Sequence, residues 1–418
     1  MREVHRRRGI RKAAVAAIGA MAMLAVGAIA ADWPQFRGPT RDGQSTETGL
    51  LKSWPEGGPK LLWSAKDVGE GYAQPVVAGG TVYVAGMTDK AGYLSAFALD
   101  GKRQWKKTYG PEYTGRYPGA RSIPTVHDGR VYVTSGLGVL NCMDAKTGEV
   151  KWAVDIFKRF GGRNVRWGFA ESSLIDGDRI ICTPCGAEAT MAALDRKTGK
   201  TVWKSEALGD RSGYCSPLLI RRGKTRLIVT MTAVNIIGVN ADDGKVLWKV
   251  SYRSRYGNHP CTPIYSKGML YCTSGYGKGG VMLELSADGT SAKQKWAEVK
   301  PDCHHGNMVL IDGYLYGTGH ANGGKWVCLE LASGKVIYET AGTGKGSPAV
   351  ADGLMYCYTE PGTVALVRPT PKPDGFQVVS SFKITQGRGM HWAHPTIAGG
   401  RLYIRHGDAV MAYDIKAK

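Results

Sequence analysis

The 418-residue sequence has no linker rich in Pro and Ser and no run of like charges, so nothing in it marks a boundary between two domains. Acidic residues are few, with 35 Asp and Glu against 55 Lys and Arg, and the formal net charge is +20. Such a balance suits nucleic acid, an anionic lipid surface or an acidic polymer as a partner. Because the cations are spread along the chain rather than clustered, nucleic acid is not expected.

Adjacent cysteines are absent, although the chain contains nine cysteines. The first one is Cys142, so no cysteine follows the apolar N-terminal stretch closely enough to carry a bacterial lipid anchor. Cys182-Thr183-Pro184-Cys185 has the spacing of a redox motif but no strand–helix context to support that role. A local disulfide between Cys182 and Cys185 is compatible with export.

Residues 1–31 have the pattern of an export signal. Basic residues precede Ala13–Ala28, an apolar stretch too short for a comfortable membrane span, and Ala28-Ile29-Ala30 offers a cleavage site. Arg7-Arg8 is compatible with a twin-arginine signal and with an ordinary basic leader. We therefore predict a signal peptide at 1–31 and a periplasmic or otherwise exported mature chain without a transmembrane span. The alternative is an N-terminal membrane anchor.

The segment Ser122–Trp152 has the pattern of four short strands joined by tight turns. Asp128-Gly129 and Thr147-Gly148 supply the turn chemistry, because Gly accepts positive φ. No segment of helical period interrupts the strands, and one such sheet cannot bury both of its faces alone. The expected strands are Ile123–Val126, Arg130–Thr134, Val139–Met143 and Val150–Trp152.

This unit recurs along the chain at intervals of roughly 40–50 residues, the range typical of propellers and solenoids. The glycine of the first turn recurs as Gly80, Gly129, Gly177, Gly223, Gly268, Gly313, Gly353 and Gly400. The aromatic residue of the fourth strand recurs as Trp63, Trp105, Trp152, Trp203, Trp248, Trp296, Tyr338 and Phe382. We predict an all-β, eight-bladed β-propeller of four-stranded antiparallel blades over residues 32–418.

The last unit, His394–Lys418, stops before a fourth-strand tryptophan arrives. Lys60–Ser64, which contains Trp63, offers the missing strand from the other end of the chain. We therefore predict that this N-terminal strand completes the last blade. The closed ring then has no open sheet edge.

The segment Trp33–Pro39, WPQFRGP, is too rich in Pro and Gly for a strand, and we expect it to pack across the propeller. With the small-x-Asp-x-x-Thr-Gly-x-x-x-Trp repeats, it resembles the exported bacterial PQQ-like (pyrroloquinoline-quinone-type) β-propeller proteins, related to BamB and to the quinoprotein dehydrogenases. The resemblance implies PQQ as a candidate cofactor. In the dehydrogenases it also implies Ca²⁺ held by acidic and amide ligands, for which Glu171 and Asn307 are the candidates here. The vicinal cysteines of those enzymes and an Asp base in a first strand are missing.

The first strands lie innermost in a propeller, where only small side chains fit between blades. Aligned on the first-turn glycine, they place small residues at Ala73, Ser122, Ala170, Cys215, Cys261, Gly306, Gly346 and Ala393. The neighbouring registers carry cations, aromatic rings and histidines, which should converge at one mouth of the channel. The candidate cofactor-binding residues are Arg121, Trp167, Glu171, Tyr214, His259, His304, His305, Lys345, His391, Trp392 and His394.

Three interpretations of this mouth stay open. The first interpretation is a pocket for an anionic, planar ligand. The second is a histidine-lined metal site, and the third is a hydrogen-bonded, water-filled rim without a ligand. The matching functions are a binding or scaffold protein of the cell envelope, with an envelope protein, a polymer or a small anionic ligand as partner, and a PQQ-dependent alcohol or sugar dehydrogenase. A third is a hydrolase or lyase that uses a His and Glu171. No catalytic residue is assigned, and whether the protein is an enzyme stays open.

Overall fold

Residues 32–417, which the computed structural model describes, form eight four-stranded antiparallel sheets that follow one another around a ring. The predicted all-β, eight-bladed propeller is confirmed. The predicted signal peptide, residues 1–31, lies outside the described residues.

Within residues 32–417, regular structure begins with β1 (Leu61–Ala65), which belongs to the last blade. Blades 1 to 4 then follow, each made of four consecutive strands counted from the channel outward. Blade 1 contains β2 (Val76–Ala78), β3 (Thr81–Thr88), β4 (Ala91–Ala98) and β5 (Arg103–Pro111). Blade 2 contains β6 (Thr125–His127), β7 (Arg130–Thr134), β8 (Val139–Asp144) and β9 (Val150–Asp155). Blade 3 contains β10 (Leu174–Asp176), β11 (Arg179–Cys182), β12 (Ala192–Asp195) and β13 (Thr201–Lys204), and blade 4 contains β14 (Leu218–Arg222), β15 (Thr225–Met231), β16 (Asn235–Asn240) and β17 (Val246–Ser251).

Blades 5 to 7 repeat this order, and blade 8 combines three C-terminal strands with β1. Blade 5 contains β18 (Ile264–Ser266), β19 (Met269–Ser274), β20 (Gly279–Leu285) and β21 (Ala292–Glu298). Blade 6 contains β22 (Met308–Ile311), β23 (Tyr314–Thr318), β24 (Trp326–Glu330) and β25 (Val336–Thr340). Blade 7 contains β26 (Gly346–Ala351), β27 (Leu354–Thr359), β28 (Thr363–Pro369) and β29 (Phe376–Lys383), and blade 8 contains β30 (Thr396–Ala398), β31 (Arg401–His406) and β32 (Ala409–Asp414).

The first turn of blade 2 has the predicted chemistry. Asp128 and Gly129 have φ angles of 49° and 68°, and positive values at both positions make the type I′ turn that hairpins prefer. The first strand β6 begins at Thr125, later than predicted. Pro124 has no N–H to donate, and Ile123 N donates to Ser172 Oγ of the next blade (2.9 Å) rather than to β7.

The fourth-strand tryptophans join each blade to the next one. Trp203 of β13 lies on Gly244 of blade 4, where an added Cβ would come within 2.5 Å of the indole ring. Its Nε1 donates to Ala241 O of the same blade (3.1 Å). Trp152 lies on Gly199 in the same way, with 3.0 Å to an added Cβ. Glycine therefore serves the turn twice: it accepts the positive φ and leaves room for the ring.

The ring is closed by β1, as predicted. This strand pairs antiparallel with β32, with Trp63 opposite Ala412 and Ala65 opposite Val410. The resulting sheet has the order β1-β32-β31-β30. The first strand of the chain thus covers the outer edge of the last sheet.

Residues 32–47, here called the arm, cross the ring on the side of the first turns. Trp33 pairs with Val77 in blade 1, and Gln44 pairs with Val350 in blade 7. The expectation that the WPQFRGP segment packs across the propeller is confirmed.

Two buried arginines anchor the arm to backbone carbonyls. Arg41 donates through Nη1 to Ser172 O (3.1 Å) and Pro217 O (2.9 Å), in blades 3 and 4. Arg37 Nη2 donates to Met308 O of blade 6 (2.6 Å). Because these carbonyls lie on different sides of the channel, the arm closes one end of it.

The core consists of layers between neighbouring blades, and most cysteines belong to it. Cys142 and Cys182 pack in one layer with Tyr132 and Leu140, between blades 2 and 3. All nine cysteines lie in the described part of the chain and are free thiols, and Cys185 alone is not fully buried. They serve as small apolar residues, as the sequence predicted for most of them.

One short helix, α1 (Ile156–Phe160), follows blade 2, and Asp155 caps it by accepting a hydrogen bond from Lys158 N. None of the helical structure in residues 32–417 has the length and apolar character that a membrane span requires.

Candidate ligand-binding pocket at one mouth of the ring

A pocket of about 560 Å³ opens at the mouth of the ring opposite the arm. Its rim carries the exposed side chains of Arg116, Arg166 and Tyr256. Its floor is buried and includes His394 and Phe36, the latter contributed by the arm. The channel is therefore a cup rather than an open tunnel.

Seven pocket-lining residues stand directly before the small residue at which the inner strands converge: Tyr72, Arg121, Tyr214, Pro260, His305, Lys345 and Trp392. Gly306 shows why that residue is small, because a Cβ there would lie 2.2 Å from Gly346 O of the next blade. Side chains alternate along an extended chain. In seven of the eight blades the residue before the small one therefore faces the channel, whereas Phe169 of blade 3 is buried in the core.

Eight rings form a nearly continuous band around the pocket, here called the aromatic collar. In order they are Tyr72, Trp392, His305, His304, Tyr276, Tyr256, Trp167 and Tyr214, with neighbouring ring centroids 4.8–6.0 Å apart. Their planes meet at 45–84°, in tilted or edge-to-face pairs. Such pairs are favourable because ring edges are positive and ring faces negative.

Arginines stand where the collar is open, on the side of blades 1 to 3. Arg121 lies 6.0 Å from the centroid of the Tyr72 ring and donates to the backbone oxygen of Trp167. Arg116 and Arg166 each lie over the aromatic ring of the next residue, at 5.3 and 5.2 Å. Within residues 32–417, none of these three arginines forms an ion pair with a carboxylate. This side of the pocket therefore has positive charge that no direct ion pair balances.

A hydrogen-bonded group on blades 5 to 7, here called the polar cluster, lies on the opposite side. Lys345 Nζ lies 2.8 Å from Glu360 Oε1 and donates to His304 Nδ1 (3.1 Å). His305 Nε2 donates to the same Glu360 oxygen (2.9 Å). With Nδ1 of His304 accepting from the lysine, its Nε2 donates to the hydroxyl of Tyr276 (3.0 Å).

The charges of the polar cluster follow from burial and from these bonds. Burial by itself would raise the pKa of Glu360, but the hydrogen bonds from His305 and Lys345 outweigh it and lower that pKa to about 2. Burial lowers the pKa of His304 and of His305, and the charge of Lys345 lowers both further. At neutral pH the two imidazoles are neutral and the carboxylate is charged.

Eight of the eleven predicted binding residues line this pocket. They are Arg121, Trp167, Tyr214, His304, His305, Lys345, Trp392 and His394. The structure thus brings together side chains that are far apart in sequence. Their role in binding a cofactor stays a prediction.

Glu171 lies outside the lining of the pocket and is 1% exposed. Its Oε1 accepts from Thr183 N (3.1 Å), and burial raises its pKa to about 8. The displacement has a local cause. In blade 2 the first turn is Asp128-Gly129, with the glycine at the second position of the turn. In blade 3 the first turn is Gly177-Asp178, with the glycine at the first position. Alignment on glycine therefore shifts blade 3 by one residue, and Glu171 takes the buried register.

His259 and His391 also lie outside the lining of the pocket. His259 is fully buried, with Nε2 3.2 Å from Ala233 O. His391 stacks on His406 at 3.7 Å between ring centroids and accepts at Nδ1 from the hydroxyl of Tyr358 (2.6 Å). Contacts within the protein account for the His391 ring, whereas buried Nδ1 of His259 has no partner among residues 32–417.

Sequence reasoning missed several lining residues that come from loops outside the first strands. Tyr276, His320 and Glu360 each follow the second strand of their blade, in blades 5, 6 and 7. Tyr117 and Tyr256 lie in loops between blades. The signal for the first three lies in the turn between the second and third strands, where they occupy equivalent places in successive blades.

The lining does not fit a calcium–quinone centre. Calcium takes six to eight oxygen ligands, usually including several carboxylates. In the described lining, Glu360 is the one carboxylate, and Lys345 and His305 hold it. Asn307, the predicted amide ligand, accepts from Thr262 N (2.7 Å) outside the lining. Among residues 32–417, no three His, Cys, Asp or Glu residues are placed to share a metal ion.

A closed ring of these repeats, with a recessed pocket at one mouth, defines the class of PQQ-like β-propeller proteins. The chain belongs to the family of the outer membrane protein assembly factor BamB, whose model matches residues 90–324. This confirms the resemblance drawn from the repeats.

Individual relatives agree with this assignment. The chain is 23% identical over 246 residues to the outer membrane protein assembly factor BamB of Moranella endobia, a match that covers 56% of this chain and 60% of that protein. The crystal structure of BamB from Moraxella catarrhalis has a TM-score of 0.59 at 17% identity, covering 86% of this chain and 98% of that one. The quinohemoprotein alcohol dehydrogenase of Comamonas testosteroni has a TM-score of 0.65 at 14% identity, covering 93% and 81%. The two structural likenesses concern the fold. The chain spans 53–60% of the length of the curated relatives that it matches over more than half of itself.

Proposed function

We propose that this protein is an exported binding or scaffold propeller of the bacterial envelope and that the pocket is its ligand site. Membership in the BamB family supports an envelope role, because the family is described as an outer membrane protein assembly factor. The signal peptide predicted for residues 1–31 supports export. The partner in this proposal is an envelope protein or polymer, or a small anionic ligand.

One observation carries the binding role: the pocket joins an aromatic wall to arginines that have no carboxylate partner. Its volume of about 560 Å³ lies within the range of sites for small molecules. Arg116, Arg121 and Arg166, none of which is in a direct ion pair, raise the local concentration of anions through their positive charge. The eight predicted residues that line the pocket would hold such a ligand by charge, hydrogen bonds and ring contacts.

The dehydrogenase alternative gains no support from the pocket. It needs carboxylate ligands for calcium beside the quinone, and the two oxygen donors predicted for that role, Glu171 and Asn307, do not reach the lining. The fold itself is shared by binding proteins and enzymes and does not decide between them.

Incubation of the purified mature protein with pyrroloquinoline quinone and Ca²⁺ tests the proposal against the dehydrogenase. We expect no alcohol-dependent reduction of an electron-accepting dye. Turnover with an alcohol would overturn the binding role and make the protein an enzyme.

Recovery of a ligand from the protein tests the pocket directly. We expect native mass spectrometry of protein purified from the envelope fraction to show a small bound mass that Lys345→Ala loses. Lys102→Ala, which changes an exposed lysine in a blade 1 turn, is the matched control and should keep that mass. A bound mass that survives Lys345→Ala, or a protein found only in the cytoplasm, would contradict the proposal.

A further inference from the structure

The two sides of the pocket are complementary to different chemical groups on a ligand. The free arginines stand at blades 1 to 3, and the polar cluster stands at blades 5 to 7. Blades that are four positions apart in a ring of eight lie across the channel from each other. Both groups line the same pocket of about 560 Å³, so a ligand that fills it contacts both sides.

The arginine side of the pocket favours an anionic group on the ligand. Arg116 and Arg166 are exposed, and their guanidinium groups make no hydrogen bond with any residue in the described range. Arg121 is partly occupied by backbone oxygens, but its charge adds to theirs. Arginine binds carboxylates well because its planar fork offers parallel N–H donors.

The polar cluster favours hydrogen-bond donors on the ligand. With Nε2–H donating to Glu360, neutral His305 has a lone pair at Nδ1, and this buried atom has no partner among residues 32–417. The hydrogen bonds that Lys345 and His305 make to Glu360 both go to Oε1, which leaves Oε2 as an acceptor. His305 Nδ1 is closed off from solvent, whereas the Glu360 side chain is 33% exposed, so Oε2 of Glu360 is the acceptor offered to a ligand hydroxyl.

The aromatic collar is complementary to the polarised C–H groups of a puckered ring rather than to a single planar ligand. Trp392 meets Tyr72 at 45° and Trp167 meets Tyr256 at 84°, so these neighbours do not present parallel faces. The negative faces of such rings attract the weakly positive C–H groups of a puckered ring. A planar polycarboxylate would satisfy the arginines but would bring few O–H donors to the opposite side.

We propose that the pocket binds an acidic saccharide, with its carboxylate at Arg116 and Arg166, a hydroxyl on Glu360, and its C–H faces against Trp392 and Trp167. This inference rests on the proposed binding function and names the chemical class of the ligand.

Isothermal titration with two disaccharides of the same size tests this proposal. The probes are digalacturonate, which is acidic, and galactobiose, which is neutral. We expect digalacturonate to bind at least tenfold more tightly, to quench tryptophan fluorescence, and to lose affinity as NaCl is raised. The Arg116→Gln/Arg166→Gln double variant should weaken digalacturonate at least tenfold and change galactobiose less than twofold. Because both arginines are exposed, the variant should fold normally, as its melting curve will show.

Arg103→Gln, which changes an exposed arginine on the outer strand β5, is the matched control and should leave both affinities unchanged. Equal affinity for the two disaccharides would overturn the proposal, as would the absence of binding by both at millimolar concentration. If pyrroloquinoline quinone binds without turnover while neither sugar binds, the saccharide is wrong but the binding pocket stands. Alcohol-dependent dye reduction would instead overturn the proposed function itself.

Discussion

Two buried side chains near the channel, His394 and Glu171, are held uncharged by the same cause but respond to pH in opposite directions. Burial lowers the pKa of His394 from 6.5 to about 3 and raises the pKa of Glu171 from 4.5 to about 8. Both groups are therefore neutral at pH 7. The protein should lose stability on both sides of neutrality, for reasons that single substitutions can separate.

His394 stabilises the fold fully above about pH 6.5, and this contribution is lost as the pH falls toward 3. Between pH 7 and pH 4.5 the loss should be about 2–3 kcal/mol, at about 1.4 kcal/mol per pH unit. His394→Gln keeps a donor for His305 O and should remove most of this loss. Urea denaturation at the two pH values measures it. An unchanged acid dependence in the variant would mean that other groups titrate.

Glu171 has the opposite sign, because its pKa is raised. Its contribution is complete below about pH 4.5 and is lost as the pH rises through about 8. We expect the wild-type protein to lose roughly 4 kcal/mol from this group between pH 5 and pH 9, and Glu171→Gln to lose none of it. The same denaturation experiment at pH 5 and pH 9 tests this, with the difference between the two proteins as the measured quantity. Parallel pH profiles would show that the carboxyl is not buried as described.

At the scale of single elements, the turn between the third and fourth strands decides how blades pack. Gly244 has a φ of 80°, and an added Cβ would come within 2.5 Å of Trp203. Gly209 has nearly the same φ, 74°, but an added Cβ would meet nothing within 4 Å. The two glycines therefore separate the cost of the backbone conformation from the cost of the contact.

Gly209→Ala should lower the free energy of unfolding by about 1–2 kcal/mol, the cost of a left-handed conformation with a Cβ. Gly244→Ala should lose that amount and about 1–3 kcal/mol more, because the methyl group overpacks the indole ring. Thermal or urea unfolding of both variants measures the difference. Equal losses would mean that the tryptophan moves aside without cost.

At the scale of the whole molecule, the ring depends on one junction that no hairpin closes. Trp63 of β1 donates to Leu99 O of blade 1 (2.7 Å), and Trp296 of β21 makes the equivalent bond to Leu331 O of blade 6 (3.2 Å). β21 is tethered to its sheet by a turn, whereas β1 reaches β32 from the other end of the chain. Loss of β1 would expose a sheet edge.

Trp63→Ala should therefore destabilise the protein more than Trp296→Ala, and it should also promote aggregation. We expect hydrogen exchange to accelerate at β1 and β32 in the first variant, with a smaller local change around β21 in the second. Light scattering and exchange mass spectrometry measure these effects. Similar behaviour of the two variants would show that the junction is no weaker than the hairpins.

The candidate site shows how far sequence reasoning reaches. Arg121, His305 and Lys345 were found because they stand beside small residues whose register repeats in every blade. Glu171 was misplaced by a turn whose glycine holds a different position. Glu360 was missed because it belongs to a second turn, and its importance comes from contacts with Lys345 of its own blade and His305 of the neighbouring one.

The sequence by itself determined the number of blades, their four strands and the closing of the ring. These follow from turn glycines and fourth-strand aromatics, which act on residues a few positions away or in the next repeat. Only the tertiary structure decided which polar side chains share the pocket and which are buried. The reason is physical: a pocket forms where loops from many blades meet, and burial and partners across the channel then set the charge of each group.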